Sequence, residues 1–154
     1  MLNVPELRDF WLVVLAGGLG ALIGLEREIA RKPAGLRTHV MVCAGSALMM
    51  FMAEAIVDTF ERDETSRIIT ADPIRVIQAI VIGINFLGAG TIIHQGSHVE
   101  GLTTASSIFL TAGIGVAVAI DRILLAAATT CFAIAVLFVL GVVERWFARS
   151  NGVH

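Results

Sequence analysis

Five apolar stretches, each close to the length of a membrane-spanning helix, occupy most of the 154 residues of this chain. The hydrocarbon core of a bilayer requires roughly 20 consecutive apolar residues in an α-helix. The segments between the stretches are too short to bury a separate core, since independent domains usually need at least about 50 residues. The sequence therefore predicts an all-α membrane protein that forms one compact bundle of about five transmembrane helices. The predicted spans are residues 10–30, 38–57, 73–93, 103–120 and 122–143.

The composition supports this fold class and excludes nucleic acid as a partner. The chain is 56% hydrophobic and 16% charged, with a mean hydropathy of +0.84, whereas soluble domains average about 45–50% apolar and 25% charged residues. The net charge is only −2, and no cluster of Lys and Arg is interleaved with aromatic residues as a strand-binding groove requires. We expect the lipid bilayer as the surroundings, residues 1–9 as an N-terminal tail, 10–145 as the transmembrane domain and 146–154 as a C-terminal cytoplasmic tail.

The chain lacks the residue patterns of enzymes and metalloproteins. Cys43 and Cys131 both lie inside predicted spans and have neither a disulfide framework nor the spacing of zinc ligands. No nucleophile–base pair, paired histidine motif or phosphate-binding loop is visible. Mg²⁺ retains several waters and needs well-placed carboxylates, so an acidic connection attracts it only weakly. We predict no enzymatic activity, no cofactor and no tight metal site. The acidic connection contains Asp58, Glu61, Asp63 and Glu64.

Residues that favour helix starts mark the ends of the spans. Asp72 can cap a helix while Pro73 occupies its first turn, where a missing N–H is harmless, so the third helix is predicted to begin at Pro73. Thr38, Thr103 and Asp121 are the predicted caps of the second, fourth and fifth helices. Basic residues concentrate between the first two spans, which places that connection in the cytoplasm. Five spans then put the N-terminus outside and the C-terminus inside.

Polar residues inside three of the spans recur at helical spacing. At about 100° per residue, those of the third span fall within roughly one quarter of the helix circumference. Because charged and amide groups are costly in hydrocarbon, we expect all three stripes to face protein or water. The stripes are Arg75, Gln78, Asn85 and Ala89 on the third span, His39, Cys43, Ser46, Met50 and Glu54 on the second, and Thr104, Ser107 and Thr111 on the fourth.

Two interpretations of these stripes remain open. They can be interhelical hydrogen bonds worth about 0.6 kcal/mol each, or they can line a pathway for an ion or a proton. In either case a buried charge needs a partner, and we predict an ion pair between Glu54 and Arg75 that Asp72 can share. Asn85 lies near the middle of its span, where an amide most needs a partner.

Glycines and charges suggest how neighbouring helices meet. In lipid, small residues spaced four apart allow the close approach on which helix packing depends, and Gly20 with Gly24 is such a pair. At the connection between the first two spans, Arg37 is predicted to reach Glu26, since a short turn brings the ends of antiparallel helices together. The alternative is a solvated loop that only sets topology.

Four sequence blocks resemble the signature of the MgtC/SapB family of bacterial inner-membrane proteins. They occur in family order across most of the chain, from about residue 10 to 143. The resemblance implies a five-span domain and carries functional interest over to Glu26, Arg27, Arg37, Arg75, Gln78 and Asn85. The glycines predicted to pack helices are Gly20, Gly24, Gly83, Gly88 and Gly90. The blocks are residues 20–28 (GALIGLERE), 32–39 (KPAGLRTH), 83–90 (GINFLGAG) and 99–106 (VEGLTTAS).

Two departures from the family pattern concern function. Longer members add a cytoplasmic C-terminal domain with an ACT-like fold, so this chain is expected to be a short form. Where the family often has a second glycine before the FLGAG run, this chain has Asn85, which adds a polar group at a tight contact.

The resemblance implies a function that composition and periodicity do not. It implies a non-enzymatic regulator of magnesium-limitation or stress adaptation, linked to survival inside macrophages and hence virulence, that acts on ATP synthase or another membrane protein. The alternative is an ion or small-solute transporter with a polar pathway between the second, third and fourth helices. Five short spans rich in glycine also favour a homodimer.

Overall fold

The computed structural model describes residues 4–61, 73–95 and 98–150, and these ranges contain five α-helices and one short hairpin. The predicted all-α bundle is confirmed. The helices are α1 (Val4–Ile29), α2 (Leu36–Glu61), α3 (Pro73–Gly90), α4 (Leu102–Ala119) and α5 (Ile123–Ser150), and the antiparallel strands are β1 (Ile93–Gln95) and β2 (His98–Glu100). The outer helices extend beyond their predicted spans, because α1 begins inside the predicted N-terminal tail and α5 continues into the C-terminal one.

Four of the helices, α1, α2, α4 and α5, are long and apolar enough to cross a membrane. The remaining helix, α3, has 18 residues. At about 1.5 Å per residue its length is about 27 Å, close to the thickness of the hydrocarbon core. Large apolar side chains such as Leu124 and Phe132 cover the outside of the bundle. This is the surface that a lipid environment selects.

Three helices, α1, α2 and α4, form the centre of the bundle. They contact one another most extensively, while α3 packs against α4 and α2, and α5 packs against α4 and α1. Glu26, Thr103 and Gly141 meet at one end of the bundle, which we call the hairpin end because the β1–β2 hairpin leads into α4 there. Arg8 and Asp121 meet at the opposite end.

Glycines bring the backbones of the central helices together. A Cβ atom added at Gly20 of α1 would lie 2.5 Å from the carbonyl oxygen of His39 and 2.8 Å from Cβ of Cys43. One added at Gly24 would lie 2.7 Å from Cα of Leu36, and one at Gly115 of α4 would overlap the carbonyl oxygen of Cys43. The backbone of α2 is therefore held between glycines of two neighbours, at distances that no larger residue allows.

Other glycines of the sequence blocks do not pack in this way. Gly88 is buried, and a Cβ there would lie 3.4 Å from Cβ of Ala105. Gly83 and Gly90 are exposed, and an added Cβ would meet no described atom within 4 Å. The packing role predicted for Gly83 and Gly90 is therefore wrong for a single copy of the chain, because α3 is peripheral and turns these residues outward.

Helix ends agree with the sequence only at α3, which begins at Pro73 as predicted. The second helix begins at Leu36, two residues before the predicted cap Thr38, and the Leu36 N–H donates to Oε2 of Glu28 at 2.9 Å. Gly101, with φ of 90°, precedes α4 without a side-chain cap, so Thr103 is not the cap. At the start of α2, the Glu28 carboxylate therefore binds a backbone N–H in place of the predicted Thr38 hydroxyl. At the start of α4, the left-handed backbone of Gly101 stands in place of a side-chain cap.

The glycine contact between α1 and α2 leads to a matched pair of substitutions. We expect Gly20→Ala to lower the free energy of unfolding by about 1–3 kcal/mol, because the new methyl group overlaps the α2 backbone. Gly18→Ala on the same helix meets no described atom within 4 Å and should be neutral or stabilising by up to about 1 kcal/mol, since alanine favours helix. Denaturation of the purified protein in mixed micelles, followed by circular dichroism, measures both. Equal effects of the two substitutions would contradict close backbone approach at Gly20.

Candidate functional site

Polar residues of α2 and α4 face each other in the centre of the bundle. His39 and Ser46 of α2 are buried, as are Thr104, Ser107 and Thr111 of α4. The two stripes predicted for these helices therefore do face protein over most of their length. Glu54, the last member of the α2 stripe, is exposed.

A hydrogen-bonded chain joins the two helices at His39. Its Nδ1 lies 2.9 Å from the carbonyl oxygen of Gly35, and its Nε2 lies 3.0 Å from Oγ of Ser107. Since a carbonyl oxygen only accepts, Nδ1 carries a proton and donates it. The Ser107 hydroxyl also lies 2.8 Å from the carbonyl oxygen of Thr104, so its single proton can bond either that oxygen or a neutral Nε2.

Two further buried hydroxyls bond within their own helices. Thr111 donates to the carbonyl oxygen of Ser107 at 2.7 Å, and Thr130 of α5 donates to that of Ala126 at 2.9 Å. Throughout the described ranges, no buried side-chain nitrogen or oxygen lacks a hydrogen-bond partner. The fully buried polar atoms are thus paired within the protein.

The polar stripe of α3 is not part of this interior. Arg75, Gln78, Asn85 and Ala89 are all exposed, while Ile77, Ile80 and Ile84 on the other side of the helix pack against the core. Among the described residues, a single copy thus places no protein against this stripe, which was predicted to face protein or water. Helical spacing places residues on one face, but the packing of the isoleucines turns that face outward.

The predicted ion pair between Glu54 and Arg75 does not form. Both side chains are exposed, and the salt bridges among described residues are Arg8–Asp121 and Arg27–Glu26. Asp72, which was expected to share the pair, lies outside the described residues, as do the side chains of the acidic connection at Asp58, Glu61, Asp63 and Glu64.

The pair between Arg8 and Asp121 was not foreseen. Nη2 of Arg8 in α1 donates to both carboxylate oxygens of Asp121, at 2.7 and 2.5 Å, across 113 residues of sequence. Asp121 has φ of 58° in the turn before α5, which begins at Ile123. Its carboxylate therefore ties the α4–α5 turn to α1 instead of serving as the predicted helix cap. In the sequence, only the acidic residue at the turn between the fourth and fifth spans, Asp121, indicates such a contact.

A polar cleft of about 240 Å³ opens at the hairpin end, between α1, α4 and α5. Arg27 is only 4% exposed there, and its Nε and Nη2 donate to the two carboxylate oxygens of Glu26 at 2.5 and 2.9 Å. The cleft also contains Lys32 and Thr103, and its apolar wall comes from α5. It thus combines a buried, bidentate ion pair with an exposed amine.

The structure corrects the predicted pair between Glu26 and Arg37. Arg37 is exposed and forms no salt bridge with a described residue. Glu26 binds its own neighbour on α1 because the planar guanidinium of Arg27 engages both carboxylate oxygens. Glu28 connects the two helices instead, by accepting the N–H of Leu36.

An apolar groove of about 410 Å³ separates α2 from α3 on the outside of the bundle. Gly45, Ala79 and Gly83 lie along it, with methionines and isoleucines on its walls. The groove contains almost no polar surface, so it suits acyl chains or apolar side chains and not a hydrated ion.

The contact between His39 and Ser107 predicts a difference between two adjacent serines. Ser107→Ala removes the partner of a buried ring nitrogen and should lower the free energy of unfolding by about 1–3 kcal/mol. Ser106 is exposed and its hydroxyl donates to the carbonyl oxygen of Leu102 at 2.9 Å, so Ser106→Ala should change stability by less than about 0.5 kcal/mol. Unfolding in mixed micelles distinguishes the two. A Ser107→Ala protein as stable as the Ser106→Ala control would contradict the pairing.

Several known proteins are similar to this chain in sequence. An uncharacterized protein of Haemophilus influenzae is 32% identical over 152 residues, 98% of this chain and 63% of the relative. The putative magnesium transporter YhiD of Escherichia coli K12 is 40% identical over 108 residues, 70% of this chain and 48% of the relative. The protein MgtC of Salmonella typhimurium is 39% identical over 116 residues, 75% of this chain and 44% of the relative.

The chain thus spans about half the length of the MgtC and YhiD proteins that it matches. No solved structure matches it at a significant level. The profile of the MgtC family matches residues 13–146, which include most of the bundle and both stripes of the polar interior. Together with relatives about 40% identical, this match shows that the chain belongs to the MgtC family and is a multi-pass membrane protein.

Proposed function

We propose that this protein is a non-enzymatic regulator in the bacterial inner membrane, which adapts the cell to magnesium limitation or stress by binding another membrane complex. One observation carries the proposal. His39 of α2 bonds directly to Ser107 of α4 at 3.0 Å, and no buried side-chain nitrogen or oxygen of the described residues is left without a partner.

A transport pathway along the same residues would need room for water. A bound water requires space of its own and two to four polar partners. The contacts of Gly20 and Gly115 with the α2 backbone leave no such space at the level of Cys43. The hydroxyl of Thr111 already bonds to a carbonyl oxygen of α4, and the Ser107 hydroxyl lies between His39 and the carbonyl oxygen of Thr104. These features support a role in helix packing for the interior stripes.

The cleft at the hairpin end is the feature that suits recognition of a partner. Arg27 and Glu26 are held in a fixed arrangement by their bidentate pair, and Lys32 adds an exposed positive charge beside them. Basic residues near the α1–α2 turn favour a cytoplasmic position for this end. A partner with a complementary acidic surface at the membrane–cytoplasm boundary can bind there, and ATP synthase is the complex that the family resemblance implies.

Transport is the competing function, and it is favoured by the name of the Escherichia coli relative, a putative magnesium transporter. The predicted pathway between α2, α3 and α4 has a specific weakness. Gln78 and Asn85 are exposed on α3, away from His39 and Ser107, and the groove between α2 and α3 is apolar. A single copy therefore offers no continuous polar route among its described residues.

Reconstitution separates the two functions. We expect liposomes containing the purified protein to show no flux of protons or Mg²⁺ above that of empty liposomes, measured with pH-sensitive and magnesium-sensitive dyes. Flux that Asn85→Ala or Arg75→Ala abolishes would contradict the regulator proposal and favour transport.

Co-reconstitution with purified ATP synthase tests the partner. We expect an equimolar amount of the protein to change ATP-driven proton pumping at least about twofold, and Lys32→Asn to weaken the apparent affinity about two- to fivefold, the range of an exposed ion pair. Arg31→Asn is the matched control, since Arg31 is an exposed neighbour that does not line the cleft and asparagine tolerates its φ of 55°. Unchanged pumping would exclude ATP synthase as the partner.

A further inference from the structure

One face of α3 has the spacing of a coiled-coil contact. Five of its residues follow one another at intervals of three, four, three and four, which is the a/d pattern of the heptad repeat. All five are exposed in the single copy. We call this face the α3 seam, and it consists of Arg75, Gln78, Ile82, Asn85 and Ala89.

The seam places two amides where a single copy gives them nothing to bind. Gln78 and Asn85 are seven residues apart and exposed. Neither side-chain amide has a hydrogen bond to any residue that the structure describes. Between them lies Ile82, which is 70% exposed. Acyl chains offer no hydrogen-bond donor or acceptor, so these amides require protein against the seam once α3 is in the bilayer.

We propose that the α3 seam binds the same seam of a second copy, forming a parallel homodimer in the membrane. Copies inserted with the same orientation are related by an axis along the membrane normal, so identical residues of the two α3 helices meet at the same depth. An amide carries both donors and an acceptor. Asn85 can therefore pair with Asn85 of the other copy, and Gln78 with its equivalent, so the symmetry of the dimer satisfies both amide layers at once.

The remaining seam residues fit this arrangement. Ile82 fills the layer between the two amide layers, and Ala89 permits close approach toward the C-terminal end of α3. Phe86 is 81% exposed beside the seam and extends the apolar contact. Arg75 stands in the first turn of α3, where its long side chain reaches the headgroup region and separates the two like charges.

The dimer interface and the proposed regulatory cleft occupy different parts of the molecule. The cleft lies between α1, α4 and α5 and includes Glu26, Arg27 and Lys32, whereas the seam belongs to α3 alone. A failure of one proposal is thus distinguishable from a failure of the other.

Dimer dissociation in liposomes tests the amide contact. Single-molecule photobleaching of labelled protein at decreasing density gives the monomer–dimer equilibrium, and we expect Asn85→Leu to raise the dissociation constant about five- to tenfold, the range of one interhelical hydrogen-bond layer. Asn85→Gln should retain most of the dimer because it keeps the amide. Phe132→Leu should have no effect, because Phe132 is exposed on a different helix, α5, and is not part of the seam. A protein that stays monomeric at every density, or an Asn85→Leu dimer of unchanged affinity, would overturn the proposal.

Cysteine crosslinking supplies a second, independent measurement. In a Cys131→Ala background, with buried Cys43 retained, Ile82→Cys should form disulfide-linked dimers in the membrane under mild oxidation. Leu87→Cys is the control, because Leu87 is also exposed on α3 but lies about 140° around the helix from Ile82. Equal crosslinking at the two positions, or crosslinking of Ile82→Cys only to a different protein, would show that the seam does not bind a second copy.

Discussion

The close approach of α1, α2 and α4 is the constraint on which the rest of the structure depends. In hydrocarbon, apolar side chains gain little by leaving lipid, so helices associate where their backbones can come into contact. Gly20 and Gly24 of α1 and Gly115 of α4 provide that contact on two sides of α2. Larger residues at these positions would overlap the backbone of α2, the helix from which His39 bonds to Ser107. The glycines therefore determine both the packing and the polar interior.

The distribution of polar groups between the inside and the outside of the bundle follows from this packing. Inside the bundle, hydroxyls and the imidazole of His39 are paired by short direct bonds, which is a sealed arrangement that stabilises the fold. Outside it, two polar features are left available for contacts with other molecules. These are the cleft that contains Arg27 and Glu26 and the amides of the α3 seam, Gln78 and Asn85. These two surfaces are the features on which the proposals of a protein partner and of a second copy rest.

The errors in the predicted ion pairs have two physical causes. Each predicted ion pair joined charges that a simple hairpin would bring together, as with Arg37 and Glu26. The structure instead pairs Glu26 with adjacent Arg27, since a neighbour already in place outcompetes a residue across a turn. The bond of Arg8 to Asp121 was missed for the opposite reason, because 113 residues separate them and nothing local in the sequence indicates that the two helix ends meet.

The sequence by itself determined the number and character of the helices, the start of α3 at Pro73 and the sets of residues that share a face, because these depend on apolar length, local backbone preferences and the helical period. Only the tertiary structure decided which face turns inward. The stripes of α2 and α4 meet around His39 and Ser107, while the equally periodic stripe of α3 faces outward at Asn85. That choice depends on contacts between helices distant in sequence, chiefly the glycine approaches and the isoleucines of α3, and periodicity along one helix contains no information about them.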